Sequence, residues 1–170
     1  VQIGGPAYPV GVGGGAASSL DGGTNTAALD FASVQRADPM KENGPDRVIR
    51  TCVALQAENP IVAIHDQGAG GPGNVLTELI EKLGGTIDIR KIVLGDKTMS
   101  VLAMWVGEFQ ERYAFLIRPE RIRQFQSICE REGVSCEVLG SVDGSGKVVV
   151  VDSQDSSTPV NLKLEDVFGN

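Results

Sequence analysis

The only histidine of the chain stands next to an aspartate and directly before a glycine-rich run, in the stretch HDQGAGG at residues 65–71. The β-branched residues before this stretch predict a buried strand at Ile61–Ile64, and the apolar spacing after it predicts a helix over residues 73–83. Ligands of α/β proteins bind at such a strand end. Two interpretations are open. Either Asp66 caps the turn through backbone N–H groups and His65 is a structural side chain, or Asp66 is an oxygen ligand for Mg²⁺ beside a bare glycine backbone.

A second group of polar residues precedes an apolar run, in the stretch GEFQERYAFLI at residues 107–117. Strand alternation would place Glu108 and Gln110 on one face together with Arg112. A carboxylate and an amide on one face can bind a polar substrate through two hydrogen bonds, whereas the alternative is a solvated, charged approach to a strand. Gln35, in SVQRADP, offers a similar side chain near a predicted edge strand, with solvent exposure as its alternative.

Several well-known catalytic motifs are absent from the sequence. There is no GxxxxGK[ST] phosphate loop and no GxSxG nucleophile elbow, and one histidine makes a zinc site of the usual kind unexpected. GVGGGA at residues 11–16 formally matches the dinucleotide fingerprint, but no strand is predicted before it and no helix after it. The chain therefore carries no complete catalytic set of its own, and its catalytic residues stay unknown.

Charge and composition narrow the class of protein. The 170 residues carry a net charge of -7 and contain 41% hydrophobic and 22% charged residues, as in ordinary globular domains. No basic run indicates nucleic acid or a membrane surface as a partner, and no apolar stretch approaches the roughly 20 residues of a membrane span. Cys52, Cys129 and Cys136 form no CxxC pair and are expected to be buried thiols in a reducing cytoplasm.

The remaining patterns predict a glycine-rich arm at residues 1–30 and a single domain over residues 31–170. A short edge strand is expected at Phe31–Asp38, with Asp38 as the N-cap of a helix that starts at Pro39. A further helix is expected to begin at Pro119 and end at Gly133, and the segment around Trp105 is expected to be a short helix or turn. The further predicted strands are Thr86–Ile92, Arg112–Ile117, Cys136–Val142, Lys147–Val151 and Pro159–Leu162, with a DGSG hairpin turn before Lys147 and a short helix at the end of the chain.

From Ile61 onward the predicted order of elements is β-α-β-β-α-β followed by a terminal extension. This order favours an α+β class, an α/β sandwich with one mixed β-sheet. The core of that sheet is a split βαβ arrangement packed by helices.

Six segments in order resemble one enzyme family: VQIGGPAY, GVGGGAASS, LDFASVQRADP, HDQGAGGPGNVLTEL, MWVGEFQERYAFLI and CEVLG. They are similar to phosphoribosylformylglycinamidine synthase in its large single-chain form. The resemblance covers nearly the whole chain but only one piece of that enzyme, the C-terminal-type domain of its first aminoimidazole-ribonucleotide-synthetase-like half. It implies the fold of that C-terminal domain and a domain excised from a longer multidomain chain.

The resemblance also implies an activity, that of a cytoplasmic, ATP-dependent C–N ligase of purine biosynthesis. Formylglycinamide ribonucleotide, ATP and glutamine would become formylglycinamidine ribonucleotide, ADP, phosphate and glutamate, and Mg²⁺ would offset the phosphate charge. Most ATP-binding residues and the glutaminase domain are expected in parts of the polypeptide outside this chain. The chain alone is therefore expected to be inactive.

Site residues follow from the same resemblance. Asp66 would ligate Mg²⁺, and Gln35, Glu108, Phe109 and Gln110 would contact the ribonucleotide; Phe109 replaces a small serine of many bacterial members. The principal alternative is a scaffold or interdomain packing module without its own ligand. A third hypothesis is a selenophosphate synthetase or thiamine-phosphate kinase, which should lack the VQIGGPAY and GVGGGAASS segments.

Overall fold

The computed structural model describes residues 1–9, 39–109 and 111–169. The sequence-based predictions for Phe31–Asp38, Gln35 and Gln110 lie outside these residues. The described residues form eight strands: β1 (Gln2–Gly4), β2 (Ile61–Asp66), β3 (Gly85–Asp88), β4 (Arg112–Ile117), β5 (Cys136–Glu137), β6 (Gly140–Val142), β7 (Lys147–Asp152) and β8 (Ser157–Lys163). They also form five α-helices: α1 (Pro39–Ala54), α2 (Gly71–Leu79), α3 (Val101–Val106), α4 (Ile122–Arg131) and α5 (Leu164–Phe168).

The strands form two four-stranded sheets packed by helices, which confirms the α+β class. The first sheet has the order β2-β4-β1-β5 and is antiparallel throughout. The second has the order β6-β3-β7-β8, in which β3 and β7 run parallel and the other pairs antiparallel. The strands expected in one mixed sheet are thus divided between two. No helix within the described ranges is long and apolar enough to cross a membrane.

The alternating side chains of β4 contribute to two separate hydrophobic cores. Phe115 packs with α1 and α4 on one face of the first sheet, and its ring centroid lies 5.2 Å from that of Phe125 on α4. Ala114 and Leu116 point to the other face, into a core that β3, β7, α2 and α3 share. Because both faces of β4 are covered, its alternation of side chains fixes the register of the first sheet.

Residues 2–4 differ from the predicted glycine-rich arm, because they form β1 at the centre of the first sheet. Ile3 lies opposite Tyr113 on one side and Cys136 on the other, and it is fully buried. A strand of three residues is too short to show a period in the sequence, so only its partners reveal it. The part of the predicted arm from residue 10 to residue 30 lies outside the described residues.

The expected hairpin between Cys136–Val142 and Lys147–Val151 is wrong. β5 pairs with β1 in the first sheet, whereas β6 pairs with β3 in the second, and β3 separates β6 from β7. The DGSG turn bonds to the chain that leaves α2: Asp143 N donates to Gly84 O over 3.2 Å, and Gly146 N donates to Leu83 O over 3.2 Å. The turn therefore carries the chain across β3 instead of closing a two-stranded hairpin.

Arg112 is the largest fully buried side chain among the described residues, and it connects three strands of the first sheet. Its guanidinium pairs with the buried carboxylate of Glu137 on β5, and it donates to the carbonyl of Gly5 (2.5 Å) and to Gln2 Oε1 (3.3 Å). Burial raises the pKa of Glu137, and the charge and hydrogen bond of Arg112 oppose that rise. Each charge of this pair is tolerable only in the presence of the other.

We expect Arg112→Met to lower the free energy of unfolding by about 3–5 kcal/mol, because it leaves Glu137 buried and unpaired. Replacing both residues with Met should restore most of the loss. Chemical denaturation of the purified chain measures both effects. Arg123→Met, at an exposed position on α4, is the control and should change stability by less than about 0.5 kcal/mol. Equal stability of the Arg112 and Arg123 variants would contradict the role given to the pair.

Candidate functional site

Asp66 is the last residue of β2, and its side chain projects from the edge of the first sheet. The predicted strand ended at Ile64, but β2 continues to Asp66, which lies opposite Tyr113 on β4. The Asp66 side chain is 82% exposed. β2 is an edge strand of its sheet, and the side chains of Val62, Ile64 and Asp66, which alternate along one of its faces, are exposed. The carboxylate is therefore accessible to a ligand at the end of a strand, as the second of the two interpretations requires.

His65 links β2 to α2 through its ring. Its Nε2 lies 2.8 Å from Glu78 Oε2, and its Nδ1 lies 2.7 Å from the carbonyl oxygen of Asp66. The distance from Nδ1 to Asp66 Oδ1 is 3.7 Å, longer than a hydrogen bond. His65 thus has the structural role that one interpretation gave it. Asp66 does not cap the helix, since α2 follows Gly70 and has no side-chain cap among the described residues.

The glycine-rich turn after Asp66 is held at both of its ends. At the start, Gln67 N donates to Arg112 O over 3.0 Å, and Gln2 Nε2 donates to Gln67 Oε1 over 2.6 Å. At the end, Gly71 has a φ of +57°, and a Cβ there would lie 2.1 Å from the carbonyl oxygen of Gly107. The turn therefore packs backbone to backbone against the residue that precedes Glu108.

Glu108 lies at this junction and is partly buried. Its Oε2 is buried and has no hydrogen-bond partner among the described residues. A buried carboxylate oxygen without a partner costs stability unless a bound molecule satisfies it. This orphaned oxygen, next to the glycine-rich turn, is the feature of the segment that most favours a ligand.

The other predicted residues of this segment have different environments. Phe109 is completely buried in the core that β3, β7, α2 and α3 share, so its ring contacts protein. β4 begins at Arg112, and Glu111 has a φ of 55°. The strand alternation that was expected to align Glu108 and Gln110 with Arg112 is therefore interrupted. Gln110 and Gln35 lie outside the described residues, and their substrate contacts stay predictions.

The surface next to Asp66 is electronegative. Ile64, His65, Asp66 and Tyr113 line a shallow depression at the edge of the sheet. Burial raises the pKa of Tyr113 first, and the carboxylates of Glu42 and Asp66 raise it further, because a phenolate would be repelled by them. A field of this sign favours a cation at the depression.

Within the described ranges, no three His, Cys, Asp or Glu side chains are placed to hold a metal ion together. A complete protein cage for a cation is therefore not formed by these residues. Mg²⁺ is commonly held by one or two carboxylates together with water and substrate phosphates, and a single exposed aspartate fits that pattern. Asp66 as the magnesium ligand stays a prediction.

The sequence patterns did not reveal the residues that position the turn, Gln2 and Gln67. Both are buried amides whose partners come from distant segments. The available signal was Arg112, which shares one face of β4 with the apolar residues Ala114 and Leu116. A charged residue on an apolar face needs buried polar partners, and these two amides and Glu137 are in its network.

These features define an α+β domain with two sheets, in which a glycine-rich strand-to-helix turn presents a carboxylate at a sheet edge. The family model "AIR synthase related protein, C-terminal domain" matches residues 1–153. The chain therefore belongs to the AIR synthase related protein family and carries its C-terminal domain.

The sequence is also similar to those of several named proteins. The chain is 46% identical over 181 residues to the probable phosphoribosylformylglycinamidine synthase, chloroplastic/mitochondrial, of Arabidopsis thaliana, covering 100% of this chain and 13% of that protein. It is 42% identical over 185 residues to the phosphoribosylformylglycinamidine synthase of Homo sapiens, covering 99% of this chain and 14% of that protein. The chain thus spans only about a seventh of the length of these relatives.

The fold of the chain is similar to that of part of PurL from Thermotoga maritima. The structure of PurL complexed with FGAR superposes with a TM-score of 0.79 at 22% identity, covering 98% of this chain and 27% of that chain. The same protein complexed with ATP gives a TM-score of 0.73 at 19% identity, covering 96% and 24%. At these identities the likeness establishes the fold that the sequence resemblance implied.

We expect Gly71→Ala to destabilise the chain by at least about 2 kcal/mol, because it adds a collision with Gly107 to the cost of a left-handed backbone. Thermal or chemical denaturation measures the change. Two controls separate the causes. Gly144 has a φ of +73°, but a Cβ there would meet no atom within 4 Å, so Gly144→Ala should cost about 1 kcal/mol. A Cβ at Gly68 would also meet no atom, and Gly68 has no positive φ, so Gly68→Ala should be nearly neutral. Equal losses at positions 71 and 144 would show that the contact with Gly107 is not tight.

Proposed function

We propose that this chain is the C-terminal-type domain of the first AIR-synthetase-like half of a phosphoribosylformylglycinamidine synthase. The whole enzyme is an ATP-dependent ligase that makes formylglycinamidine ribonucleotide from formylglycinamide ribonucleotide, ATP and glutamine. The observation that carries the proposal is the 42–46% identity over 99–100% of the chain to proteins with that name. Identity at this level along the whole chain favours a shared role more strongly than any one motif does.

The proposed role of the chain is to bind substrate and a magnesium ion rather than to complete the chemistry alone. The fold is shared with a protein whose structures contain FGAR in one case and ATP in another. No phosphate loop or nucleophile elbow is present in the sequence. Most of the ATP-binding residues and the glutaminase domain are proposed to lie in other parts of the polypeptide, and the cytoplasm is its proposed location.

Asp66 is proposed to provide the protein oxygen for Mg²⁺. Its carboxylate is exposed and lies in an electronegative depression. It does not cap α2, which has no side-chain cap among the described residues. A magnesium ion at this place would supply positive charge that offsets the charge of phosphate groups. The glycine backbone after Asp66 would let phosphate oxygens approach without meeting side chains.

Glu108 is proposed to accept hydrogen bonds from the ribonucleotide, with Gln35 and Gln110 as amide partners. Its orphaned Oε2 needs a donor, and the ribose hydroxyls and the amide N–H of the substrate are donors. Phe109 would contribute through its backbone, because its ring is enclosed by the core. The alternative, a scaffold without its own ligand, predicts that neither Asp66 nor Glu108 affects turnover.

In a polypeptide that carries this chain within the full length of its relatives, we expect Asp66→Asn to reduce the synthetase rate about tenfold or more. The reason is the loss of one charged oxygen ligand of the metal, and a tenfold change in rate corresponds to about 1.4 kcal/mol of activation free energy. Raising the Mg²⁺ concentration should recover part of the rate, and glutamine hydrolysis should be unchanged. Asp166→Asn, another exposed aspartate, is the matched control and should have no effect. A normal rate and magnesium dependence in the Asp66 variant would favour the scaffold alternative.

Glu108→Gln tests the substrate contact independently. In the same polypeptide the KM for formylglycinamide ribonucleotide should rise about tenfold, because a neutral amide accepts a weaker hydrogen bond than a carboxylate does. The KM for ATP should stay within about twofold. Steady-state kinetics measure both values, with Glu81→Gln on the exposed surface as control. An unchanged KM for the ribonucleotide would remove Glu108 from the proposed site.

A further inference from the structure

Three thiols meet in the core between the first sheet and the helices α1 and α4. Cys52 lies on α1, Cys129 on α4, and Cys136 is the first residue of β5. All three are free, and Cys129 is completely buried whereas Cys136 is partly accessible. Neither the proposed substrate contacts nor the proposed magnesium contact uses them. Their chemistry is therefore a separate question.

The turn after α4 brings two of these thiols together. α4 ends at Arg131, Gly133 adopts a φ of +68°, and Val134 N donates to the carbonyl of Cys129 over 2.9 Å. The chain reverses within these few residues and enters β5. Both side chains pack into the same core, where the thiols of Cys129 and Cys136 interact with each other. A bond between them would close only a short loop, because both cysteines flank the same reversal of the chain.

The contact makes the two thiols unequal. The hydrogen bond from Cys129 lowers the pKa of Cys136, and the same hydrogen bond together with burial raises the pKa of Cys129. Burial raises the pKa of Cys52 to about 11. Since the thiolate is the form that attacks an oxidant, Cys136 is the most reactive of the three at neutral pH. Its partial exposure gives a small oxidant access.

We propose that Cys129 and Cys136 form a peroxide-sensitive dithiol, in which Cys136 reacts first and Cys129 resolves the product as a disulfide. In the first step the Cys136 thiolate attacks one oxygen of hydrogen peroxide, the O–O bond breaks, and hydroxide leaves, which gives a sulfenic acid. In the second step the Cys129 sulfur attacks the Cys136 sulfur, the S–S bond forms, the S–O bond breaks, and water leaves with the Cys129 proton. Two thiols lose two electrons, and one peroxide is reduced to two waters.

Tryptic peptide mapping of the oxidised chain tests the proposal without any variant. Trypsin cleaves after Arg50, Lys82, Arg123, Arg131 and Lys147, so that each cysteine falls in its own peptide, at residues 51–82, 124–131 and 132–147. After native treatment with hydrogen peroxide and blocking of the remaining thiols, we expect one species that joins 124–131 to 132–147 and is lighter than their sum by two hydrogen atoms. Dithiothreitol should separate it again.

Two variants identify the order of the steps. Cys52→Ser should leave the cross-linked species unchanged, whereas Cys129→Ser should stop the reaction at a sulfenic acid on Cys136 that a 1,3-diketone reagent labels. In the unaltered chain, Cys136 should be consumed faster than Cys52, because Cys136 is partly exposed whereas Cys52 is buried and burial raises the pKa of its thiol. A cross-link to the peptide 51–82, equal rates for Cys136 and Cys52, or oxidation of Cys136 to higher acids without any cross-link would each overturn the proposal.

Discussion

The buried guanidinium of Arg112 is the interaction on which the arrangement of this domain depends. It pairs with Glu137 on β5, donates to Gly5 beyond β1, and shares Gln2 with the amide of Gln67. The first sheet and the turn after Asp66 are therefore connected through one charged group. Such a charge is costly to bury, so its partners must keep their positions in the folded state. Because Gln2 contacts both Arg112 and Gln67, the turn after Asp66 is also held in position.

The candidate site is built from backbone contacts more than from side chains. The turn meets Gly107 so closely that a Cβ at Gly71 would lie 2.1 Å from the carbonyl oxygen of Gly107. This approach brings the segment of Asp66 next to the segment of Glu108, although the two are far apart in the sequence. One carboxylate is then exposed at the sheet edge, and the other retains an oxygen without a partner among the described residues. The two acids have different environments, as a metal contact and a substrate contact would require.

On the other side of the first sheet, a second tight turn also brings two functional groups together, the thiols of the proposed dithiol. A tight turn after α4 places Cys129 against Cys136, in a core that the glycine-rich turn does not reach. The proposed oxidation would join α4 to β5, the strand that also carries Glu137. The strand that anchors Arg112 would thus be covalently tied to a helix. The reaction needs only the local geometry of the α4–β5 reversal, and it is independent of the proposed ligands.

The sequence by itself determined the local elements and the chemical types at the site. It predicted β4 at its observed bounds, the helix that starts at Pro39 and a strand that begins at Ile61, because their signals lie within a few consecutive residues. Only the tertiary structure decided how those elements pair. It placed β1 in the centre of a sheet, divided Cys136–Val142 between two sheets, and gave Arg112 its buried partners. The physical reason is that pairing and burial depend on contacts between residues distant in the chain, which no local period records.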